Sequence, residues 1–199
     1  MLQLRRLDHA QTILASASPR RAALLRQLGI PFLVDDAVVV DERFMVSESP
    51  GPAVERLARQ KAQAGAERHP AADIVIAGDT VVVIDQQVLG KPENPKAAEL
   101  MLFRLAGREH EVVTGFAVMS GGNIVSGVET TLVGIRQLEP TEITAYVATG
   151  EPLDKAGAYA AQGRGALLVA GISGDYHNVV GLPLFRLGLA LRQLGWTVL

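Results

Sequence analysis

Asp79 is where this sequence most plainly asks for chemistry. It stands in a run, residues 73–84, that is otherwise apolar on both faces of a strand. A carboxylate there is costly unless it is paired or ligates a metal. Gly78 beside it marks a place where a ligand or another backbone comes close. The plainer alternative is an aspartate bonding backbone N–H groups nearby. Lys61 is the second anomaly. It follows Val54 by seven residues and Leu57 by four, which puts it on the apolar stripe of a helix. There it either snorkels its ammonium to water or meets an anion. With no partner, replacing it by Met would leave stability unchanged or slightly raised. Lys91, between Gly90 and Pro92 at a strand end, is suited to pointing a charge into a cleft.

Two further segments fit an anion. Ser16-Ala17-Ser18-Pro19-Arg20-Arg21 joins a buried strand to a helix N-terminus. Free N–H groups and the positive end of the dipole favour a bound phosphate there. Serine hydroxyls and the guanidinium groups of Arg20 and Arg21 add donors. Asp41-Glu42 follows an apolar run, and with Asp79 it can hold Mg²⁺, which takes one or two carboxylates plus phosphate oxygens and water. A capped helix and a solvated acidic loop are the ordinary readings of the same residues. The chain carries 19 Lys+Arg against 21 Asp+Glu, a net charge of −2. Lys61, Lys91, Arg20 and Arg21 therefore suggest a localised anion site rather than a basic surface.

The elements that must position these groups alternate. Residues 12–15 read as a buried strand. Ser18 caps a helix with Pro19 at its first position; Ala22, Leu25 and Leu28 share its face, and Gly29 stops it. Residues 31–40 read as a strand and 41–51 as a loop. A helix opens at Pro52 with Val54, Leu57, Ala58 and Ala62 inward. After the strand 73–84, residues 85–87 turn the chain and 88–89 run back. Asn94-Pro95 caps a helix with Ala98, Met101, Leu102 and Leu105 on its core face, ended by Gly107. Strands at 111–119 and 124–135 meet at Gly121-Gly122. Thr141 caps a short helix ending at Gly150. A Gly-rich stretch, 157–181, holds a strand at 166–170, and an amphipathic helix covers 183–194. The class is α/β with a mixed sheet, and no linker separates independent domains.

Composition excludes several alternatives. At 199 residues, the chain is one domain, or one domain of two lobes. It has no cysteine, which removes disulfides, thiol catalysis and Cys-ligated zinc. Nothing in the charge balance calls for a nucleic acid polymer or an anionic membrane. The first eight residues lack the apolar core of a signal peptide. Apolar runs reach only four or five residues, against the about 20 needed to span a bilayer, so a cytoplasmic protein is expected. Gly90-Lys91 is followed by Pro92 and makes no P-loop. Gly163 and Gly165 lack a third partner glycine, and no G-x-S-x-G occurs. His9, His69, His110 and His177 are scattered without ligand spacing, with His177 expected in a surface turn beside Tyr176.

The ordered blocks from Ser16 to Arg21, Asp41-Glu42, Leu57-Ala58 with Lys61-Ala62, Gly78-Asp79-Thr80, Gly90-Lys91-Pro92 and Val113-Thr114-Gly115 resemble the Maf family of nucleotide pyrophosphatases. So do the stretch from Gly150 to Tyr159, Gln162-Gly163, Tyr176 and Val179 to Leu184. The likeness runs over roughly residues 12 to 195. It implies an elongated, two-lobed fold of the Maf and inosine-triphosphatase group around a central cleft, with the whole chain as one such domain. It implies hydrolysis of a nucleoside triphosphate to monophosphate and pyrophosphate with a divalent metal, Mg or Mn. Asp79, Lys61, Lys91 and Glu42 are then catalytic, with Glu42 and Asp79 on the metal. Ser16, Arg20, Arg21, Thr80 and Gln162 bind substrate. Arg20, Thr80 and Gln162 resemble the subtype acting on dTTP and UTP; a subtype acting on 7-methyl-GTP carries Glu in place of the glutamine. Gly78 stands where relatives often have Ala or Ser. The family's name comes from septum formation, which leaves a linked role in cell-division arrest, or a non-catalytic regulator, as the rival class. A homodimer is left open.

Overall fold

The computed structural model describes residues 4–199. Met1, Leu2 and Gln3, the start of the segment read as carrying no signal peptide, lie outside the described residues. In chain order the elements are β1 (Arg5–Arg6), β2 (Thr12–Leu14), α1 (Pro19–Gln27), β3 (Leu33–Val34), α2 (Pro50–Arg68), β4 (Ile74–Ile84), β5 (Gln87–Leu89), α3 (Pro95–Leu105), β6 (Glu109–Ser120), β7 (Asn123–Ile135), α4 (Pro140–Ala148), β8 (Val169–Ser173), α5 (Tyr176–Val180), α6 (Leu184–Gln193) and β9 (Trp196–Thr197). The main sheet has the order β3-β2-β4-β6-β7-β8 with β5 on β4, and β1 pairs with β9 apart from it. β2 runs parallel to β3 and β4, while β4–β5 and β7–β8 are antiparallel. This is the mixed α/β sheet the alternating pattern implies. No described helix is long and apolar enough to cross a membrane. The chain divides into two compact units: residues up to Asp79 with 114–129 and 181–199, and residues 80–113 with 130–180.

In the first unit, β2 and the start of β4 are buried on both faces, as parallel strands are. Ala58 and Ala62 of α2 pack in one cluster with Ile13, Ala15, Val75, Ala77 and Ala117. The small residues let the helix lie close. A Cβ on Gly65 would stand 2.9 Å from the Ala15 Cβ, and one on Gly115 would collide with the Val54 carbonyl. Helix α2 opens at Pro50 rather than Pro52; prolines fit a first turn, whose N–H groups have no intrahelical acceptor. On α1, Leu24 and Arg21 join Ala22 and Leu25 inside, while Leu28 is half-buried. The strand expected over 31–40 shrinks to Leu33–Val34. Asp35 explains the break: its carboxylate accepts the Ala37 N–H at 3.1 Å and meets Arg68 at 2.6 Å and His69 at 2.8 Å. Such an Asx turn offers the backbone an alternative to the ladder.

The second unit packs α3 and α4 with the far ends of β4, β6 and β7 around Leu102, Leu105, Val112, Val133, Ile143 and Tyr159. Helix α4 is capped by Glu139, not Thr141: the Glu142 carboxylate accepts the Glu139 N–H at 3.0 Å. The strand expected at 166–170 lies at Val169–Ser173, after a 3₁₀ turn at Gly163–Leu167. The Gly165 N–H is taken by Glu151 instead of a ladder. His177 sits in the short α5 rather than a turn.

His110 is buried in this unit with its Nε2 2.7 Å from the Tyr159 hydroxyl and its Nδ1 without a hydrogen-bond partner. Burial pushes its pKa down to about 4. The unfolded histidine titrates near 6.5, so as pH falls through that value the unfolded chain binds the extra proton first. Stability is therefore present in full above about pH 6.5 and falls, by about 3 kcal/mol, as pH drops to about 4. Urea unfolding of the wild type and of His110→Phe at pH 7, 5.5 and 4.5 should show a shallower decline in the variant. Parallel declines would place the acid sensitivity elsewhere.

Candidate active site

The Lys61 ammonium answers the question its position raises. Its side chain is 11% exposed, and its Nζ lies 2.7 Å from Asp79 Oδ1 and 2.6 Å from Glu42 Oε1. It meets anions rather than water. Helix α2 delivers it because Lys61 shares the buried stripe with Leu57 and Ala58. Asp79, 14% exposed, projects from the one half-buried step of β4, where the run of buried residues pauses at Asp79-Thr80. Glu42 comes from a loop and is 64% exposed.

The strand-to-helix junction supplies the second part. Ser18 caps α1 by accepting the Arg21 N–H, and Ser16 Oγ accepts the Ser18 N–H at 3.2 Å. The buried Arg21 side chain gives its Nε–H to the Gly181 carbonyl at 2.7 Å and an Nη1–H to Ser16 Oγ at 3.0 Å. Burial pushes the guanidinium pKa down; Asp79 opposes that, Arg20 adds to it, and Glu42 opposes it. Gly78 leaves the room: a Cβ there would stand 3.1 Å from Arg21 Nε and 3.2 Å from the Gly115 carbonyl oxygen. The close approach expected at Gly78 is thus a guanidinium and a neighbouring backbone. Arg21, read as a phosphate ligand, is in this state tied inward, whereas Arg20 on the same turn is half-buried.

Asp41 and Glu42, adjacent in sequence, part ways. Asp41 pairs with Arg43 at 2.6 Å, and that side chain together with the Arg43 N–H holds its carboxyl at about 2. Only Glu42 reaches Lys61. Glu48 and Arg56 are not legible as partners in the sequence alone. Arg56 grips Glu48 with two N–H donors at 2.8 and 2.7 Å and donates to the Arg43 carbonyl at 3.2 Å. This fork ties the loop carrying Glu42 to α2. Its members are eight residues apart across a loop and a helix, a spacing that gives no periodic signal.

The first unit thus brings together Ser16, Arg21, Glu42, Lys61 and Asp79. Thr80, Lys91 and Gln162 belong to the second unit. Thr80 is half-buried in β4, Lys91 is exposed after β5, and Gln162 is exposed just before the 3₁₀ turn. Among the described residues no three His, Cys, Asp or Glu side chains converge as a metal cage. Glu42 and Asp79 offer two hard carboxylates on one point, the Lys61 ammonium. That pair fits Mg²⁺ or Mn²⁺ arriving with a phosphate chain, since such ions keep few protein ligands and take the rest from phosphate and water.

The Maf-like protein family matches residues 11–194. The dTTP/UTP pyrophosphatase of Symbiobacterium thermophilum is 53% identical over 188 residues, covering 94% of this chain and 96% of that protein. The dTTP/UTP pyrophosphatases of Moorella thermoacetica and Vibrio cholerae are 52% and 48% identical, covering 94% and 92% of this chain and 96% and 98% of theirs. Among solved structures, a HAM1 protein from Coxiella burnetii superposes with a TM-score of 0.46 at 14% identity, over 94% of this chain and 96% of that one.

Proposed function

The chain belongs to the Maf-like protein family, and we propose that it is a nucleoside triphosphate pyrophosphatase hydrolysing dTTP and UTP to the monophosphate and pyrophosphate. The relatives named for that activity cover nearly the whole chain. The observation that carries the reading is the Lys61 ammonium held between Asp79 and Glu42. A binding module has no physical need to bury that group, whereas cleavage of a phosphoanhydride uses each part of it.

In the proposed reaction a water oxygen attacks the α-phosphorus, and the bond from that phosphorus to the bridging oxygen breaks. Pyrophosphate leaves with the bond electrons. Asp79 orients the water and takes its proton. Lys61 fixes the Asp79 carboxylate and offers its charge to the phosphate chain. Lys91 adds positive charge where it builds up on the leaving group, with Ser16 as a donor at the helix N-terminus. Arg21 holds the junction from behind through Gly181 and Ser16, and its charge bears on Asp79. A bound Mg²⁺ or Mn²⁺, held by Glu42 and Asp79, would supply Lewis-acid polarisation of phosphate oxygens.

Base choice is assigned to Arg20, Thr80 and Gln162, on the strength of the family resemblance. A uracil or thymine edge presents an N–H donor between two carbonyl acceptors. A Gln side chain offers both an amide donor and a carbonyl acceptor to meet it, while an ionised Glu only accepts. The substrate is a free nucleotide of the cytoplasm, and neither a nucleic acid polymer nor a membrane enters the reaction. A homodimer is compatible with it and not required by it.

Incubation with UTP, dTTP, CTP, ATP, GTP and 7-methyl-GTP in the presence of Mg²⁺ or Mn²⁺, with pyrophosphate and phosphate measured separately, tests the proposal. UMP and pyrophosphate should appear in equal amounts from UTP, and dTMP with pyrophosphate from dTTP. UDP with inorganic phosphate would sink it.

A further inference from the structure

In the second unit a half-buried carboxylate holds the loop that follows Gln162. Glu151, at the start of a 3₁₀ turn after α4, sends its carboxylate to the loop that follows Gln162. Its Oε2 accepts the Arg164 N–H at 3.1 Å, and its Oε1 accepts the Gly165 N–H at 2.9 Å and the buried Tyr146 hydroxyl at 2.9 Å. Burial alone would raise the Glu151 pKa; the Gly165 and Arg164 N–H groups and the Tyr146 hydroxyl outweigh it, and the net shift is downward. The carboxylate itself stands on a fixed base. The Glu151 N–H goes to Thr149 Oγ1, whose hydroxyl is bonded to the Tyr146 carbonyl in α4, and Lys155 Nζ holds the Glu151 carbonyl at 2.6 Å.

The loop is shaped to this carboxylate. Gly163 has φ +62°, and a Cβ there would stand 2.7 Å from Glu151 Oε2. A Cβ on Gly165 would collide with the Ala160 carbonyl oxygen. An exposed Gln followed by two such glycines would sample many positions unless the backbone after it were pinned. Recognition of a base edge needs donor and acceptor held to within about 0.5 Å.

We infer that Glu151 is a positioning residue for substrate selection: it pins the Arg164 and Gly165 amides and so holds Gln162 where it can read a pyrimidine edge. The inference rests on the proposed role of Gln162 and adds to it the group that makes that role possible. Glu151 touches no substrate. Its loss should therefore weaken discrimination and leave bond cleavage largely intact.

Glu151→Gln is the test variant. Its amide oxygen still suits Gly165 and Tyr146, but its NH₂ faces the Arg164 N–H, donor against donor. The full-length protein is read three ways: amide exchange at Arg164 and Gly165 by NMR, kcat and KM for UTP and GTP, and the melting temperature. The expected result is faster exchange at those two amides and a UTP-over-GTP preference reduced about tenfold, carried by KM for UTP, with kcat within about twofold. Tyr146→Phe keeps both loop bonds and should keep the preference. Should Glu151→Gln not fold, Gly163→Ala keeps the Glu151 charge but displaces the loop, because its Cβ would stand 2.7 Å from Glu151 Oε2, and should reduce the preference likewise. Unchanged exchange in Glu151→Gln overturns the pinning. Gln162→Glu separates the two ideas. If it lowers the preference while Glu151→Gln, with its loop loosened, does not, Gln162 reads the base and the positioning role of Glu151 is wrong. If Gln162→Glu leaves the preference untouched, the role of Gln162 fails and this inference falls with it.

Discussion

Asp79→Asn should cost about 10²-fold or more in kcat, the range for removal of a positioned general base, while the chain stays folded. The substitution keeps the volume and shape of a residue 14% exposed in β4. The asparagine carbonyl still accepts from Lys61 Nζ, and Glu42 remains on the other side of that ammonium at 2.6 Å. No cation is stranded, so the fold has little reason to respond. The chemistry has every reason to respond. An amide cannot take the proton of the attacking water, and it is a weaker partner for any cation brought with the triphosphate. The measurement is kcat for dTTP and UTP beside a thermal melt of the same preparation. Near-wild-type turnover in a folded variant would remove Asp79 from the reaction and leave Glu42 as the only carboxylate on Lys61.

The same pair of residues shows what sequence could and could not announce. Asp79 and Lys61 were visible because each breaks a period: a charge inside an apolar strand, and a charge on the apolar stripe of a helix. Local chemistry was visible for the same reason. Ser18-Pro19 and Asn94-Pro95 each cap a helix, and Gly121-Gly122 joins β6 to β7. What stayed hidden is contact between distant positions. Arg21 reaches Gly181 across 160 residues, and Glu151 reaches Gly165 across 14. Neither partner is the side chain of a distinctive residue; each is a backbone group, which has no sequence signature. The short β3 and the displaced β8 have a related cause. Asp35 takes the Ala37 N–H that a pattern of apolar residues assigns to the sheet, and Glu151 takes the Arg164 and Gly165 N–H groups just before the expected strand. Side chains competing for backbone donors are legible only once the fold has put them there.

Lys61→Met carries the second large effect, and here the structure reverses an expectation. An unpaired lysine on a core face would be replaced by methionine at no loss of stability. Lys61 instead bridges Asp79 and Glu42. Removing it leaves the Asp79 carboxylate, with its small exposure, facing Glu42 with no ammonium between them. Glu42, at 64% exposure, can swing into water; Asp79 cannot. Breaking a fully buried pair costs about 3–5 kcal/mol, and relief through Glu42 lowers this to about 1–3 kcal/mol, the range for an unsatisfied buried group. For a chain of this size that is a fall of about 2–12 °C in Tm. Turnover should fall about 10²-fold or more, since a cation aimed at developing phosphate charge is lost together with the group that orients Asp79. The two losses have separate causes, and a second substitution separates them. Adding Glu42→Gln to Lys61→Met removes one of the opposed charges. It should return part of the lost Tm and none of the lost kcat, because the ammonium is still missing. Differential scanning calorimetry and UTP turnover on the single and double variants make the comparison. A Lys61→Met protein with wild-type Tm and wild-type turnover would mean that the bridge to Asp79 and Glu42 contributes to neither folding nor catalysis.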